Sequence, residues 1–160
     1  MFVRLKREVR LLLENKLRFI FTASLLIFCA VVTWLDADSM SFVRKLFVFP
    51  GYTLPLWMLF IIWTVSFFLI SVIASSCSDV KGGFVMILAV TVFLLFWCPL
   101  LFSAAAGILS CVSALLSLVC TVTATAVLCR RSVLGILSGT FLSLNITYFF
   151  LISLGFTVMN

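Results

Sequence analysis

Apolar and polar residues along this chain do not alternate; they are sorted into blocks. Five apolar runs, residues 19–35, 54–74, 84–102, 108–128 and 133–158, contain no Asp, Glu, Lys or Arg. A helix needs about 20 such residues, within a range of roughly 17–25, to cross a bilayer. One charge at mid-membrane costs about 2.5–3.5 kcal/mol on the insertion scale, so five clean runs mark selection for hydrocarbon. Backbone N–H and C=O groups find no partners in lipid, which leaves helices or closed barrels as the spanning structures. Barrel strands alternate with period two over about 10 residues, and these runs do neither. The pattern predicts an all-α fold, a single-domain integral membrane bundle of five transmembrane helices.

The polar blocks between the runs supply topology. Residues 36–53 form a long first loop with Asp36, Asp38, Arg44, Lys45, Pro50 and Gly51. The second loop, 75–83, carries Asp79, Lys81 and a Gly82-Gly83 pair. The third, 103–107, is uncharged, and the fourth is Cys129-Arg130-Arg131-Ser132. With five spans, Arg4, Lys6, Arg7, Arg10, Lys16, Arg18, Lys81, Arg130 and Arg131 share one side, and only Arg44 and Lys45 lie opposite. The positive-inside rule then places the N-terminus inside and the C-terminus outside. Residues 1–18 read as a basic interfacial segment, with Leu5, Val9, Leu12 and Leu13 on one helical face. Basic residues before an apolar run also resemble a signal peptide. The run ends in Val32-Thr33-Trp34-Leu35-Asp36 without a clear small-x-small cleavage site, so a retained first helix is expected.

Composition narrows the chemistry. Of 160 residues, 65% are hydrophobic and 10% charged, more apolar surface than a soluble fold of this size can hide. There is no His, which excludes His-based acid–base chemistry and His-ligated metals. The six Cys form no C-x-x-C pair and sit mostly within apolar runs, as small buried apolar side chains do. No nucleophile–base pair, P-loop or metal triad is visible, so an enzyme is not expected and no metal or required cofactor is implied. The net charge of +6 comes largely from six cations flanking the first run. Anionic headgroups account for these better than nucleic acid does.

Small and hydroxyl residues recur at steps of three or four. Gly135, Gly139, Ser143 and Thr147 line one face of the last run, and Ser110, Ser113, Ala114, Ser117 and Thr121 one face of the fourth. Such faces let helices approach closely, either within the bundle or at a homodimer seam. Asn145, the most polar group of the last run, is expected to bond a neighbouring helix. The stretch from Phe49 to Trp57, with Pro50, Tyr52 and Pro55, leads into the second run, where Trp57 and Trp63 follow six residues apart. That spacing sets them about 240° apart around a helix, so one can face the bundle while the other faces lipid or the interface.

These residues resemble the TspO/MBR family, the tryptophan-rich sensory proteins of bacteria and the mitochondrial translocator protein. The family pattern Lys-Pro-x-Trp-x-Pro-Pro-x-Trp, then Trp-Thr after five residues, is met by Pro50, Tyr52, Pro55, Trp57, Trp63 and Thr64. Its third-helix Trp-x-Pro-Leu-Phe-Phe is met by Trp97-Cys98-Pro99-Leu100-Leu101-Phe102, and its closing Ala-Thr-Val-Leu-Asn by Phe156-Thr157-Val158-Met159-Asn160. The matches fall in order across residues 43–160. The departures are specific: Phe49 replaces the family Lys, Leu94 an Asn, Ser113 an Asp, Ile152 a pocket Trp and Phe156 a pocket Ala.

The resemblance implies a five-helix bundle with a cavity near its first-loop end, one that takes porphyrins and other flat apolar molecules, and often a homodimer. Carried over by position, the cavity wall comprises Leu59, Ile62, Trp63, Trp97, Leu109, Val112, Phe149, Ile152 and Phe156. Pro50, Tyr52, Pro55 and Trp57 form a cap. Such a protein acts as a sensor, regulator or carrier, in a bacterial cell membrane rather than a mitochondrial outer membrane. Loss of the family Trp at Ile152 argues against light-dependent porphyrin breakdown. The competing readings are a structural or partner-binding membrane protein whose pocket has filled in, and a small transporter of apolar solutes.

Overall fold

The structure is a computed structural model that describes residues 37–76, 83–128 and 132–160. The expected interfacial segment 1–18 and first span 19–35 lie outside the described residues. Five helices follow in order among the described residues: α1 (Ala37–Leu46), α2 (Leu56–Ser76), α3 (Gly83–Phe102), α4 (Gly107–Leu128) and α5 (Val133–Met159). No strand occurs among the described residues. Helices α2 to α5 fall within about two residues of the last four predicted runs, and all four are long and apolar enough to cross a membrane. The chain is accordingly an integral, multi-pass membrane protein.

Helix α1 was not expected. Residues 36–53 read as a loop because their charges and turn residues break every apolar run. Ten residues of that stretch nevertheless form a helix that buries Val43 and packs against α3. Arg44 and Lys45 occupy its last turn, where cations complement the helix dipole.

The long helices alternate in direction, as their short connections require. Helix α4 packs along both α3 and α5, and α2 lies along α5. Contact between α2 and α3 is thin, and a seam runs between them. Local chemistry fixes the helix ends. The Pro55 carbonyl accepts from Met58 N (3.0 Å) and Leu59 N (3.1 Å) to start α2. The Ser132 side chain accepts from Gly135 N at 3.0 Å and caps α5. Pro99 lies in the last turn of α3, where its missing N–H and its clash with the preceding turn disturb little of the helix. The chain then reverses through Ala105, whose φ of 50° is left-handed.

The stripe on α4 is used inside the chain, as are Gly135 and Gly139 of the stripe on α5, whose Thr147 is exposed. Ser110, Ser113, Ala114, Ser117 and Thr121 are all buried. The hydroxyls of Ser113 and Ser117 donate to the Phe93 and Val90 carbonyls of α3. Gly139 faces Thr125 of α4 so closely that a β-carbon would collide with its side chain. The Asn145 amide donates to Ser66 Oγ of α2 at 3.1 Å, the interhelical bond expected of it.

Gly139→Ala is expected to destabilise the bundle by about 1–3 kcal/mol, because Thr125 is rigid and held by its own bond to the Thr121 carbonyl. Thermal unfolding in detergent measures it. Adding Thr125→Ala should recover part of the loss, and strict additivity of the two changes would refute the contact.

Candidate functional site

At one end of the molecule the start of α2, the end of α3, the start of α4 and the end of α5 come together. The segment between α1 and α2 crosses this end as a strap, residues 47–55. Within the cluster Leu59, Trp63, Trp97, Phe149, Ile152 and Phe156 are all buried, and Ile62 packs against them half-buried. Seven of the nine wall residues expected from the sequence therefore converge.

Leu109 and Val112 do not. They are 58% and 48% exposed, on the outer face of α4. The inner face of α4 at this level is taken by Ser110, Ser113 and Ala114. Three residues later in a helix is about one turn on, so the face that buries Ser110 and Ser113 turns Leu109 and Val112 away. The two residues are removed from the wall.

The cap residues divide. Pro50 is buried against Gly155 of α5, where any β-carbon would strike Pro50 and the Tyr52 hydroxyl. The Tyr52 hydroxyl donates to the Leu151 carbonyl at 2.7 Å. Pro55 is exposed and starts α2. Trp57 is 59% exposed and Trp63 2%, the division that their spacing predicts.

The cluster is held by aromatic packing around one polar node. Trp97 stacks on Phe149 with ring centroids 4.3 Å apart and meets Phe102 edge-on at 6.0 Å. The Trp97 indole N–H donates to Ser153 Oγ at 2.8 Å, and Ser110 Oγ lies 2.7 Å from the same atom. The Phe149 carbonyl lies 3.1 Å from the same hydroxyl; with the Ser153 proton directed there, Ser153 accepts from Trp97 and Ser110 together and every hydroxyl of the node is satisfied. One hydroxyl thereby joins α3, α4 and α5 in a dry environment. The sequence signal for Ser153 is weak, since nothing distinguishes it from other small polar residues of the last span. Phe49, Phe102, Tyr148 and Asn160 also belong to this end and were not among the expected site residues. Phe102 and Asn160 close the second and third matched motifs, which is the signal that could have found them.

Trp63 is different. Its ring meets Phe67 edge-on at 4.6 Å, and its buried indole N–H has no hydrogen-bond partner among the described residues. It lines a gap in the α2–α3 seam bounded by Leu56, Leu59 and Phe60 on one side and Trp97, Cys98 and Phe102 on the other. The free volume there is about 10 Å³, near the least that holds one water. Pockets for drug-sized ligands run to roughly 300–1,000 Å³. The site as it stands is closed.

No group of three or more His, Cys, Asp or Glu that could hold a metal occurs among the described residues. The side chains offer hydroxyls, indole N–H groups and apolar surface, which are means of binding. Comparison with protein-family models, with curated proteins and with solved structures finds no match to this chain. The fold and site together define a helical membrane protein with an aromatic, strapped end.

Ser153→Ala is expected to cost about 1–3 kcal/mol, because it leaves the Trp97 N–H without an acceptor in a dry core. Ser110→Ala should cost less, since it removes a donor and leaves Ser153 bonded to Trp97. Unfolding of the two variants in detergent compares them, and equal losses would refute the order.

Proposed function

We propose that this chain is a TspO-like membrane protein that binds flat apolar molecules, tetrapyrroles foremost, at the strapped end of its bundle, as a sensor, regulator or carrier. The observation that carries this reading is Trp63. A buried indole N–H without an acceptor is costly, about 1–3 kcal/mol, and in native structures such a group is met by protein, by ordered water or by a bound molecule. Here it borders the thin seam between α2 and α3. A ligand carrying a carbonyl or carboxylate would satisfy it while its plane lay against Trp97 and Phe102, edges and faces that suit aromatic contact. The sequence resemblance to the TspO/MBR family supports the same end of the molecule. In that reading the protein lies in a bacterial cell membrane with its N-terminus inside, and the first apolar run supplies a fifth span.

A second reading, a structural or partner-binding bundle, is favoured by the free volume of about 10 Å³. A tetrapyrrole requires α2 or the strap to shift before it can enter.

Titration of the purified protein with protoporphyrin IX, followed by quenching of Trp fluorescence, separates the two. Saturable quenching is expected. Trp63→Phe, which keeps the apolar ring and loses the N–H, should weaken binding roughly 3–10-fold, the worth of one hydrogen bond. Absence of saturable quenching in the wild-type protein would favour the partner-binding reading.

A further inference from the structure

We propose that Phe49 is a built-in plug of the site and that the Asn160 side chain is the clasp that keeps it seated. The Phe49 ring lies nearly parallel to Phe102, with centroids 5.5 Å apart and an interplanar angle of 7°, and tilts against Phe156 at 4.9 Å. Phe102 is also a wall of the α2–α3 gap that Trp63 borders. A single ring of the strap thus stacks on Phe102 and lies against Phe156, in the stacking geometry that a flat ligand would take. This rests on the binding reading above, and adds that the protein competes with its ligand through a residue of its own.

The attachments of the strap suit a part that lifts. Its backbone–backbone bonds are local, Phe47 N to the Val43 carbonyl and Thr53 N to the Pro50 carbonyl. Its bonds to α5 all run through side chains. The Asn160 amide accepts from Val48 N at 3.1 Å and donates to the Val48 carbonyl at 2.7 Å, copying the pairing of a neighbouring strand. Its nitrogen also lies 3.0 Å from the Phe156 carbonyl, which ties the clasp to the helix end that Phe49 touches. Tyr52 bonds the Leu151 carbonyl, and the Tyr148 hydroxyl accepts from Leu54 N at 3.1 Å and donates to the Tyr52 carbonyl at 3.2 Å. Val48 and Tyr52 are exposed. Segments held largely by exposed hydrogen bonds open locally while the core stays folded, and in this one Pro50 must also leave its buried contact with Gly155. The apolar ring at the strap's centre then leaves Phe102 and Phe156 uncovered.

The test uses the full chain in detergent, comparing wild type, Phe49→Ala and Asn160→Ala by amide hydrogen exchange and by protoporphyrin IX titration. Asn160→Ala is expected to raise exchange across residues 47–54 about tenfold, with α2 to α5 unchanged. Phe49→Ala should bind protoporphyrin IX at least about fivefold more tightly than wild type, as removal of a competing conformer does. Binding of equal strength in wild type and Phe49→Ala would overturn the plug and leave the binding reading standing. Exchange that rises throughout α3 and α5 in Phe49→Ala, with no gain in binding, would make Phe49 an ordinary core residue. Failure of every variant to bind would remove the binding reading and the plug with it.

Discussion

Hydrocarbon accepts no hydrogen bonds, and that constraint shapes nearly every polar group in the long helices. The hydroxyls of Thr64, Thr123, Thr140 and Thr147 lie on outward faces, and each donates to the carbonyl four residues before it. Such back-bonding makes a hydroxyl polar in name only, so a threonine can face lipid at little cost. Thr91, Thr121, Thr125 and Ser143 back-bond in the same way on buried or half-buried faces, and other polar side chains turn inward and bridge helices: Ser113 and Ser117 to α3, Asn145 to α2, Ser153 to α3 and α4. Without a strong hydrophobic drive between helices in lipid, close packing of small residues and these bridges hold the bundle together.

Against that background Trp63 is an exception within the long helices. Among the described residues of the long helices, other buried side-chain polar groups find a partner, while in the strap Thr53 Oγ1 shares the lack of one. The Trp97 indole has Ser153 beneath it, whereas the Trp63 N–H borders a narrow apolar gap and finds no acceptor among the described residues. The contrast between two tryptophans in one cluster separates a ring placed for packing from a ring with an unmet need. The function argued above grows from that difference.

Most of the architecture was legible in the sequence because charge exclusion is a coarse and robust signal. A run such as 108–128 cannot be anything but helix once it is placed in lipid. That Trp57 and Trp63 face different ways followed from their spacing, whereas the choice of Trp63 as the inward one came from the family resemblance. Helix α1 was not legible, since its amphipathic period runs for only ten residues and its charges and the neighbouring turn residues break every apolar run. Leu109 and Val112 were misplaced because correspondence by position fixes residue order but not the rotation of a helix. The buried serines of α4 decide that rotation. Ser153 was invisible for a related reason, because its importance lies in what it touches across three helices.

Gly155 sets how near the strap can come to α5. A hydrogen atom is all that stands there between the helix and the ring of Pro50. The position therefore acts as a spacer of zero thickness. Lengthening that spacer by one methyl would prop the strap outward without altering a residue of the aromatic wall. A lineage could in this way retune how readily the end of the molecule is uncovered while its lining stayed the same.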